Sequence, residues 1–199
     1  MNQKRIMIVF VNGQRRSGKD TFIKYISTIL ETEYDFNTIS LSFTDIAKSM
    51  VMTLDYKTLL VKDNQTRKLI VDMLNNQMIQ NKTIQYFEDA IRTLIERDPK
   101  PIFAFIVGRD YKLSTSSISK IEKNLQKDGY LVSTTSVLIR NENSNEKSVN
   151  FDPQNFDPSL YEFVIDNNND RRKLLINSKI LADRLKILFY NQGNFSKRL

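Results

Sequence analysis

The residues best suited to chemistry form one short segment near the start of the chain, Gly13-Gln14-Arg15-Arg16-Ser17-Gly18-Lys19. Two glycines five positions apart, with a lysine directly after the second, have the spacing of a phosphate-binding loop. Glycine lets backbone N–H groups turn inward around an anion, and a helix beginning at Gly18 adds its positive N-terminal end. Lys19 supplies a mobile charge for the β- and γ-phosphates of a nucleotide. The pattern predicts a nucleotide site; the plainer alternative is a strand-to-helix turn with a surface lysine.

The next two residues, Asp20 and Thr21, bear on metal binding. Asp20 stands where such loops usually have the serine or threonine that binds magnesium. A carboxylate oxygen also suits magnesium, either directly or through water. The alternative for Asp20 is a carboxylate that the helix dipole favours in the first turn.

The elements that must position this segment follow from the hydrophobic pattern. The apolar run at 6–11 predicts a strand that is covered on both faces. A helix is expected from 18 or 19 to about 30, and another at 44–54 with Thr44 as a possible cap. Further helical spacing occurs at 69–78, 86–95, 116–127 and 171–190, and further strands are expected near 38–41, 102–107, 130–139 and 161–165.

Alternating strands and helices predict an α/β fold, with a parallel sheet and right-handed crossovers. We expect a P-loop NTPase-like three-layer sandwich with a five-stranded parallel sheet, in a single domain over 1–199. Two successive helices without a strand between them predict a small helical lobe at about 44–98. The polar, acidic stretch at about 141–158 is a long loop, which is typical of a lid or of disorder.

Composition excludes several classes of protein. The 199 residues include no cysteine and no histidine, which excludes a disulfide scaffold, the usual zinc sites and Ser-His-Asp chemistry. No apolar run reaches the roughly 18 residues that a membrane-spanning helix needs. We therefore expect a cytoplasmic protein without a membrane partner.

The charge balance is basic, with 30 Lys and Arg against 23 Asp and Glu. Such a balance favours polyanionic partners, which include nucleotides as well as nucleic acid. A nucleic-acid-binding protein that uses the basic C-terminal end is one hypothesis. Because the chain lacks the interleaved aromatic and basic residues of such proteins, nucleic acid is not the expected partner.

The segment 15–21, Arg-Arg-Ser-Gly-Lys-Asp-Thr, resembles the loop of the phage-type deoxynucleoside monophosphate kinases and of the related animal-type phosphomevalonate kinases. Thr21 favours the former, because the loop of the latter lacks this threonine. Weaker likenesses follow in the same order along most of the chain, at 42–48, 66–69, 105–109 and 161–167.

The resemblance implies ATP-dependent phosphorylation of a deoxynucleoside monophosphate to its diphosphate, assisted by Mg²⁺. It also implies a possible homodimer and fits a protein that a virus encodes in its host cell. By this likeness Lys19, Arg16 and Arg109 are catalytic, and Asp20 orients the metal. The acceptor monophosphate would be held by Asp45, Lys48, Arg67 and Arg109. ATP would contact the loop residues and one distant asparagine: Gly13, Gln14, Arg15, Arg16, Ser17, Gly18, Lys19, Asp20, Thr21 and Asn167.

Several of these residues have a simpler interpretation. Lys48 fits a solvated helix residue, Arg67 fits an exposed turn, and Asn167 fits an ordinary asparagine turn. Tyr86 and Phe87 have the chemistry to stack a base, but their spacing with other apolar residues favours the core.

Two departures from the family pattern favour a second hypothesis. Val107 stands where the resemblance expects an aspartate, which leaves Asp110 as the nearest carboxylate. The loop at 141–158 has no arginine to neutralise a transferred phosphoryl group and offers only Lys147, with Arg140 at its edge. The alternative is a P-loop nucleotide-binding regulatory protein that turns over slowly or not at all.

Overall fold

The structure is a computed structural model that describes residues 4–14, 16–54, 64–108, 110–141, 156–168 and 170–195; of residues 53, 54, 64, 65, 67 and 192–195 it describes the backbone only. Five strands and six helices follow one another in these residues. The strands are β1 (Arg5–Gly13), β2 (Asn37–Ser42), β3 (Ile102–Val107), β4 (Leu131–Arg140) and β5 (Phe163–Asp166). The helices are α1 (Lys19–Tyr34), α2 (Thr44–Leu54), α3 (Asn64–Leu74), α4 (Gln77–Arg97), α5 (Tyr111–Lys127) and α6 (Arg171–Phe195), and a short 3₁₀ turn spans Pro158–Leu160.

All five strands are parallel and form one sheet in the order β2-β3-β1-β4-β5. The first strand is therefore central, paired with β3 on one side and β4 on the other. Its end at Gly13 lies opposite Ile139 of β4. Because β1 is hydrogen-bonded to a strand on each side, the position at which the chain leaves it is well fixed.

The two faces of the sheet carry separate halves of the core, because successive side chains of a strand point to opposite sides. Met7, Val9 and Val11 pack with residues of α1 and α6. Ile6, Ile8 and Phe10 pack on the other face with residues of α4 and α5. Helices thus cover both faces of a parallel sheet, which confirms the predicted three-layer α/β class.

Helices α2 and α3 pack on each other and against α4. They form the part of the chain in which the sequence predicts a helical lobe. Most of the predicted acidic lid at 141–158 lies outside the described residues, and so do Arg15, Arg109 and the last four residues of the basic tail.

Three helix boundaries differ from their predictions for local reasons. The pattern over 69–78 belongs to two helices, because α3 ends at Leu74 and α4 begins at Gln77. Asn76 caps α4 by accepting hydrogen bonds from the N–H groups of Met78 and Ile79. Helix α5 begins at Tyr111 instead of 116, since the Asp110 carboxylate accepts the Leu113 N–H. Helix α1 continues to Tyr34, where Asp35 stops it in a left-handed conformation.

Among the described residues, no helix has both the length and the apolar character that crossing a membrane requires.

Candidate phosphate-binding site

The predicted phosphate-binding segment joins the centre of the sheet to α1. Gly13 is the last residue of β1, and Lys19 is the first residue of α1. The adjacent strands β1 and β3 continue into α1 and α5, which cover opposite faces of the sheet. In an open parallel sheet this divergence opens a crevice at the carboxyl ends of the strands, where ligands bind. Residues 13–19, hereafter the phosphate loop, lead from β1 into α1 at this point.

Both glycines of the phosphate loop are required by close contacts as well as by conformation. Gly13 has φ 152°, and a Cβ at this position would lie 2.2 Å from the carbonyl oxygen of Ile139. Gly18 has φ 91°, and its Cβ would lie 2.2 Å from Nδ2 of Asn167. Between them Arg16 also has a positive φ, of 58°. Such left-handed residues turn backbone N–H groups toward a common centre, which is how loops of this kind form anion-binding concavities.

The Lys19 ammonium lies over the loop itself. Its Nζ donates to the carbonyl oxygens of Gly13 and Gln14, each at 2.6 Å. A weaker contact reaches the buried Ser17 hydroxyl at 3.5 Å. The side chain is partly buried and already positioned beside the loop. A full positive charge therefore lies where a bound polyphosphate would concentrate negative charge.

The start of α1 carries no side-chain cap, because Gly18 occupies the cap position. The positive end of the helix dipole is thus not offset by a capping oxygen. Asp20 is exposed in the first turn, and within the described part of the chain its carboxylate makes no hydrogen bond or ion pair. Thr21, which is partly exposed, follows it. This pair offers the hard oxygen donors that magnesium prefers.

Within the described ranges, no group of three or more His, Cys, Asp or Glu residues is arranged so that it could hold a metal ion. The protein therefore does not supply a complete metal cage there. This is compatible with magnesium, which commonly takes one or two protein oxygens and completes its shell with water and substrate phosphates. The donor set around Asp20 fits that mode of binding.

The far edge of the sheet supports the loop from below. Asn167 is buried, and its Nδ2 donates to the Ser17 carbonyl oxygen at 2.7 Å. Its backbone N–H donates to the Arg140 carbonyl oxygen, also at 2.7 Å. An ion pair between Arg140 and Asp166, at 2.7 Å, fixes the same strand ends. The hydrogen bond from Arg140, opposed by a smaller effect of burial, holds the pKa of Asp166 below its usual value.

Asn167 thus has an observed role beneath the loop, where it positions the Ser17–Gly18 backbone. Its predicted contact with the adenine ring stays a prediction.

A second buried asparagine supports the loop from the end of β1. Asn12 is fully buried, its Oδ1 accepts the Gly13 N–H at 2.7 Å, and its Nδ2 donates to the Tyr161 hydroxyl at 2.6 Å. Burial raises the pKa of Tyr161 to about 12, with a smaller opposing effect from the Asn12 hydrogen bond. Sequence reasoning missed both residues. A polar side chain that ends a buried apolar strand was the available signal for Asn12, whereas nothing local distinguishes Tyr161.

The predicted acceptor residues lie mainly outside the phosphate loop. Asp45 accepts the Ser42 N–H at 2.8 Å, while the Ser42 hydroxyl accepts the Thr44 N–H at 3.3 Å. These two hydrogen bonds close the turn between β2 and α2; Thr44 is the first residue of the helix and not its cap. Lys48 is exposed on α2 and makes no hydrogen bond or ion pair with any described residue. Arg67 lies in the first turns of α3.

Val107, where the family pattern expects an aspartate, and Asp110, the nearest carboxylate, both have structural roles. Val107 ends β3 and packs, partly buried, on the core face of α1 and α6. Asp110 is the cap of α5. The predicted core position is confirmed for Phe87, which is fully buried. Tyr86, in contrast, is 41% exposed.

Another concave surface lies away from the phosphate loop, between α4 and α5. This lysine groove has a volume of about 380 Å³ and a floor formed by Ile84 and Glu88. Arg92 and Asn124 both donate to the Glu88 carboxylate. Three lysines of α5 line one wall: Lys120, Lys123 and Lys127.

No family model and no curated protein matches this sequence. Among solved structures, the chain is similar to the APS kinase CysC of Mycobacterium tuberculosis, with 9% identity and a TM-score of 0.44, over 92% of this chain and 99% of that chain. It is similar to a sugar kinase of Janibacter, with 10% identity and a TM-score of 0.43, over 90% and 95% of the two chains. The thymidylate kinase of Candida albicans is similar with 13% identity and a TM-score of 0.42, over 92% and 93%.

Similarities at such low sequence identity concern the fold alone. They identify neither a family nor a substrate. None of these three proteins is a phage-type deoxynucleoside monophosphate kinase or a phosphomevalonate kinase. That resemblance therefore depends on the sequence segments alone.

Proposed function

We propose that the protein is an ATP-dependent kinase that phosphorylates a nucleoside or deoxynucleoside monophosphate with the help of Mg²⁺. The observation that carries this proposal is the phosphate loop, in which two sterically required glycines flank the backbone carbonyls that hold the Lys19 ammonium. Phosphoryl transfer needs mainly positioning and charge neutralisation, so an active site without histidine or cysteine is sufficient.

The donor side of the reaction follows from the loop. Backbone N–H groups of residues 14–20 hold the β- and γ-phosphates, and Lys19 exchanges its carbonyl partners for phosphate oxygens. An oxygen of the acceptor monophosphate forms a bond to the γ-phosphorus while the bond from that phosphorus to the β–γ bridging oxygen breaks, leaving ADP. Arg16, an exposed residue of the loop, would help to neutralise the moving charge.

Magnesium would be held by Asp20 and Thr21 together with phosphate oxygens. When bound, it neutralises negative charge between the β- and γ-phosphates. The exposed Asp20 carboxylate, without a partner among the described residues, suits this role better than a capping role.

The acceptor would lie beyond the carboxyl ends of β2 and β3, beside α2 and α3. Lys48 and Arg67 are placed on these helices, and Arg109 follows β3 directly in the sequence. Arginine suits this task because its planar fork binds phosphate in a bidentate manner. Asp45 contributes to the acceptor site indirectly, because its carboxylate holds the start of α2.

A second candidate function is a nucleotide-binding regulator with little or no turnover. The observation that favours it is the use of Asp110 as a helix cap, together with the apolar packing of Val107. No described carboxylate at the end of β3 then remains to orient the acceptor.

Titration with ATP, followed by a coupled assay over a panel of nucleoside monophosphates, tests the proposal. Lys19→Ala should weaken ATP binding roughly 10- to 100-fold, because it removes a charge-assisted contact of about 1.5–3 kcal/mol. Lys24→Ala is the matched control, since Lys24 is an exposed lysine of the same helix. Equal effects of the two substitutions contradict the assigned loop, and tight ATP binding without turnover of any monophosphate favours the regulator.

A further inference from the structure

A buried polar chain connects the phosphate loop to residues far away in the sequence. It begins at Asn12, which lies in β1 opposite Leu138 of β4, is fully buried and is the last side chain before the loop. A buried carboxamide is stable only when its donors and acceptor are satisfied, and a residue without polar atoms would fill this place at less cost. We therefore ask what the Asn12 carboxamide contributes at this buried position.

The chemistry of its neighbours determines how this carboxamide is oriented. The Gly13 N–H can only donate, so the Asn12 oxygen must face it. The amide nitrogen then faces the Tyr161 hydroxyl, which acts as the acceptor. The raised pKa of Tyr161, about 12, keeps this hydroxyl neutral throughout the physiological range.

The same chain of contacts reaches the lysine of the loop. Asn12 fixes the peptide that carries the Gly13 N–H, and the Gly13 carbonyl accepts from Lys19 Nζ at 2.6 Å. A rotation of Gly13 would move this carbonyl and with it the ammonium. Gly13 has the conformational freedom for such a rotation, because glycine is restricted least of all residues.

Tyr161 is itself held tightly by aromatic packing. Its ring is stacked on Phe10 at 6.2 Å and meets Tyr111 edge-on at 5.1 Å. The Tyr111 hydroxyl donates to the Leu160 carbonyl oxygen at 2.8 Å. The rings of Phe10 and Tyr111 thus fix the acceptor of the Asn12 bond, whereas the Tyr111 hydroxyl bonds to the backbone and does not contact Asn12.

We propose that Asn12 and Tyr161 form a positioning pair that fixes the Gly13 peptide, and through it the Lys19 ammonium, for binding a polyphosphate. This inference rests on the proposed function, because it assigns the pair a role in the same anion site. Neither residue touches the polyphosphate. Their contribution is to remove the freedom that Gly13 would otherwise have to lose on binding.

The test is the affinity of the folded protein for inorganic tripolyphosphate, which has no base or sugar to contact other residues. Tyr161→Phe removes the hydroxyl and keeps the ring, so Asn12 loses its acceptor. We expect tripolyphosphate and ATP to bind roughly 5- to 20-fold more weakly, as for the loss of one buried hydrogen bond. Tyr111→Phe is the matched control: it removes a neighbouring hydroxyl outside the chain of contacts and should change affinity less than about twofold.

A double-mutant cycle with Asn12→Ala sharpens this result. If the two residues act through one bond, the double variant binds no more weakly than Asn12→Ala alone. In steady-state assays the effect should appear in KM for ATP and not in KM for the monophosphate. Should Asn12→Ala fail to fold, the comparison of Tyr161→Phe with Tyr111→Phe decides the matter alone.

The outcomes separate the two proposals. If the unsubstituted protein binds neither ATP nor tripolyphosphate, the proposed function fails and the positioning role fails with it. If it binds both, but Tyr161→Phe lowers only the melting temperature and leaves affinity equal to that of Tyr111→Phe, the pair is merely structural. The kinase proposal then stands without it.

Discussion

The phosphate loop and the lysine groove both carry lysine ammonium groups, but they are built in different ways. The loop has one inward ammonium, which rests on two carbonyl oxygens, within a backbone shape that only glycines permit. The groove has three ammonium groups on one exposed helix face, and none of them makes a hydrogen bond or ion pair within the described part of the chain.

This difference shows that charge count is a poor guide to a site. Three like charges at neighbouring positions of a helix repel one another, and water and salt screen them. In the loop, the Lys19 ammonium already lies beside the backbone before any ligand arrives, so binding requires little reorganisation. We therefore expect function to be sensitive to shape at the loop and insensitive to charge at the groove.

The largest expected effect comes from filling the space beneath the loop. Gly18→Ala places a methyl group 2.2 Å from Asn167 Nδ2, on a residue with φ 91°. Both the clash and the backbone conformation oppose it, so the substitution should destabilise the fold by about 2–4 kcal/mol. ATP binding should be lost, because the Ser17 carbonyl can no longer keep its Asn167 partner. Thermal unfolding and ATP titration measure the two effects.

Gly129→Ala provides the comparison for that variant. Gly129 has a similar φ of 88°, but no atom lies within 4 Å of the position of its Cβ. This substitution carries only the backbone strain of about 1 kcal/mol and should leave ATP affinity unchanged. If the two variants behave alike, conformation alone explains the glycine and the contact with Asn167 has no role.

An intermediate effect is expected from alkaline pH, because Tyr161 lies deep beneath the loop. In the unfolded chain a tyrosine loses its proton near pH 10, whereas folded Tyr161 keeps it up to about pH 12. Between these values the unfolded state binds fewer protons, so the free energy of unfolding falls as pH rises, by at most about 1.4 kcal/mol per pH unit.

Denaturant unfolding at several pH values, with Tyr161→Phe in parallel, measures this contribution. The groups that face the hydroxyl are Asn12, Tyr111 and Asp110. The decline above pH 10 should be smaller in the variant, since its phenylalanine does not titrate. Equal slopes for the two proteins would contradict a raised pKa at Tyr161.

The smallest effect is expected at the lysine groove. Its lysines occupy the second half of α5, a helix of 17 residues and about 24 Å whose start lies near the loop. At physiological ionic strength, exposed charges are screened beyond about 8 Å. Replacing Lys120, Lys123 and Lys127 together by glutamine should therefore change the Kd for ATP less than about twofold. A tenfold loss would show that the groove contributes to nucleotide binding.

Much of the fold was predictable because its pattern is local. The runs that became β1 and β3 are continuously apolar, as expected for central strands of a parallel sheet, and α2 has the predicted bounds. The errors at α4 and α5 also have a local cause. Asn76 and Asp110 act as caps, and a capping side chain can override the hydrophobic period that follows it.

The candidate site was predictable only in part, because its support is not local. The spacing of the glycines and the lysine in residues 13–19 predicts the loop. The sequence does not show that Gly18 faces Asn167 or that Asn12 faces Tyr161. Asp45 shows the same limit. The family resemblance implies a substrate contact, which stays a prediction, but the sequence does not show that its carboxylate also accepts the Ser42 N–H before α2.

The central position of the first strand also has a consequence for synthesis on the ribosome. The motif leaves the exit tunnel early, but its supports are 149 and 150 residues further along the chain, at Tyr161 and Asn167. Contacts of such long range form late and slowly. A nascent chain that stops before β5 therefore contains every residue of the motif and still lacks the shape that would hold a nucleotide.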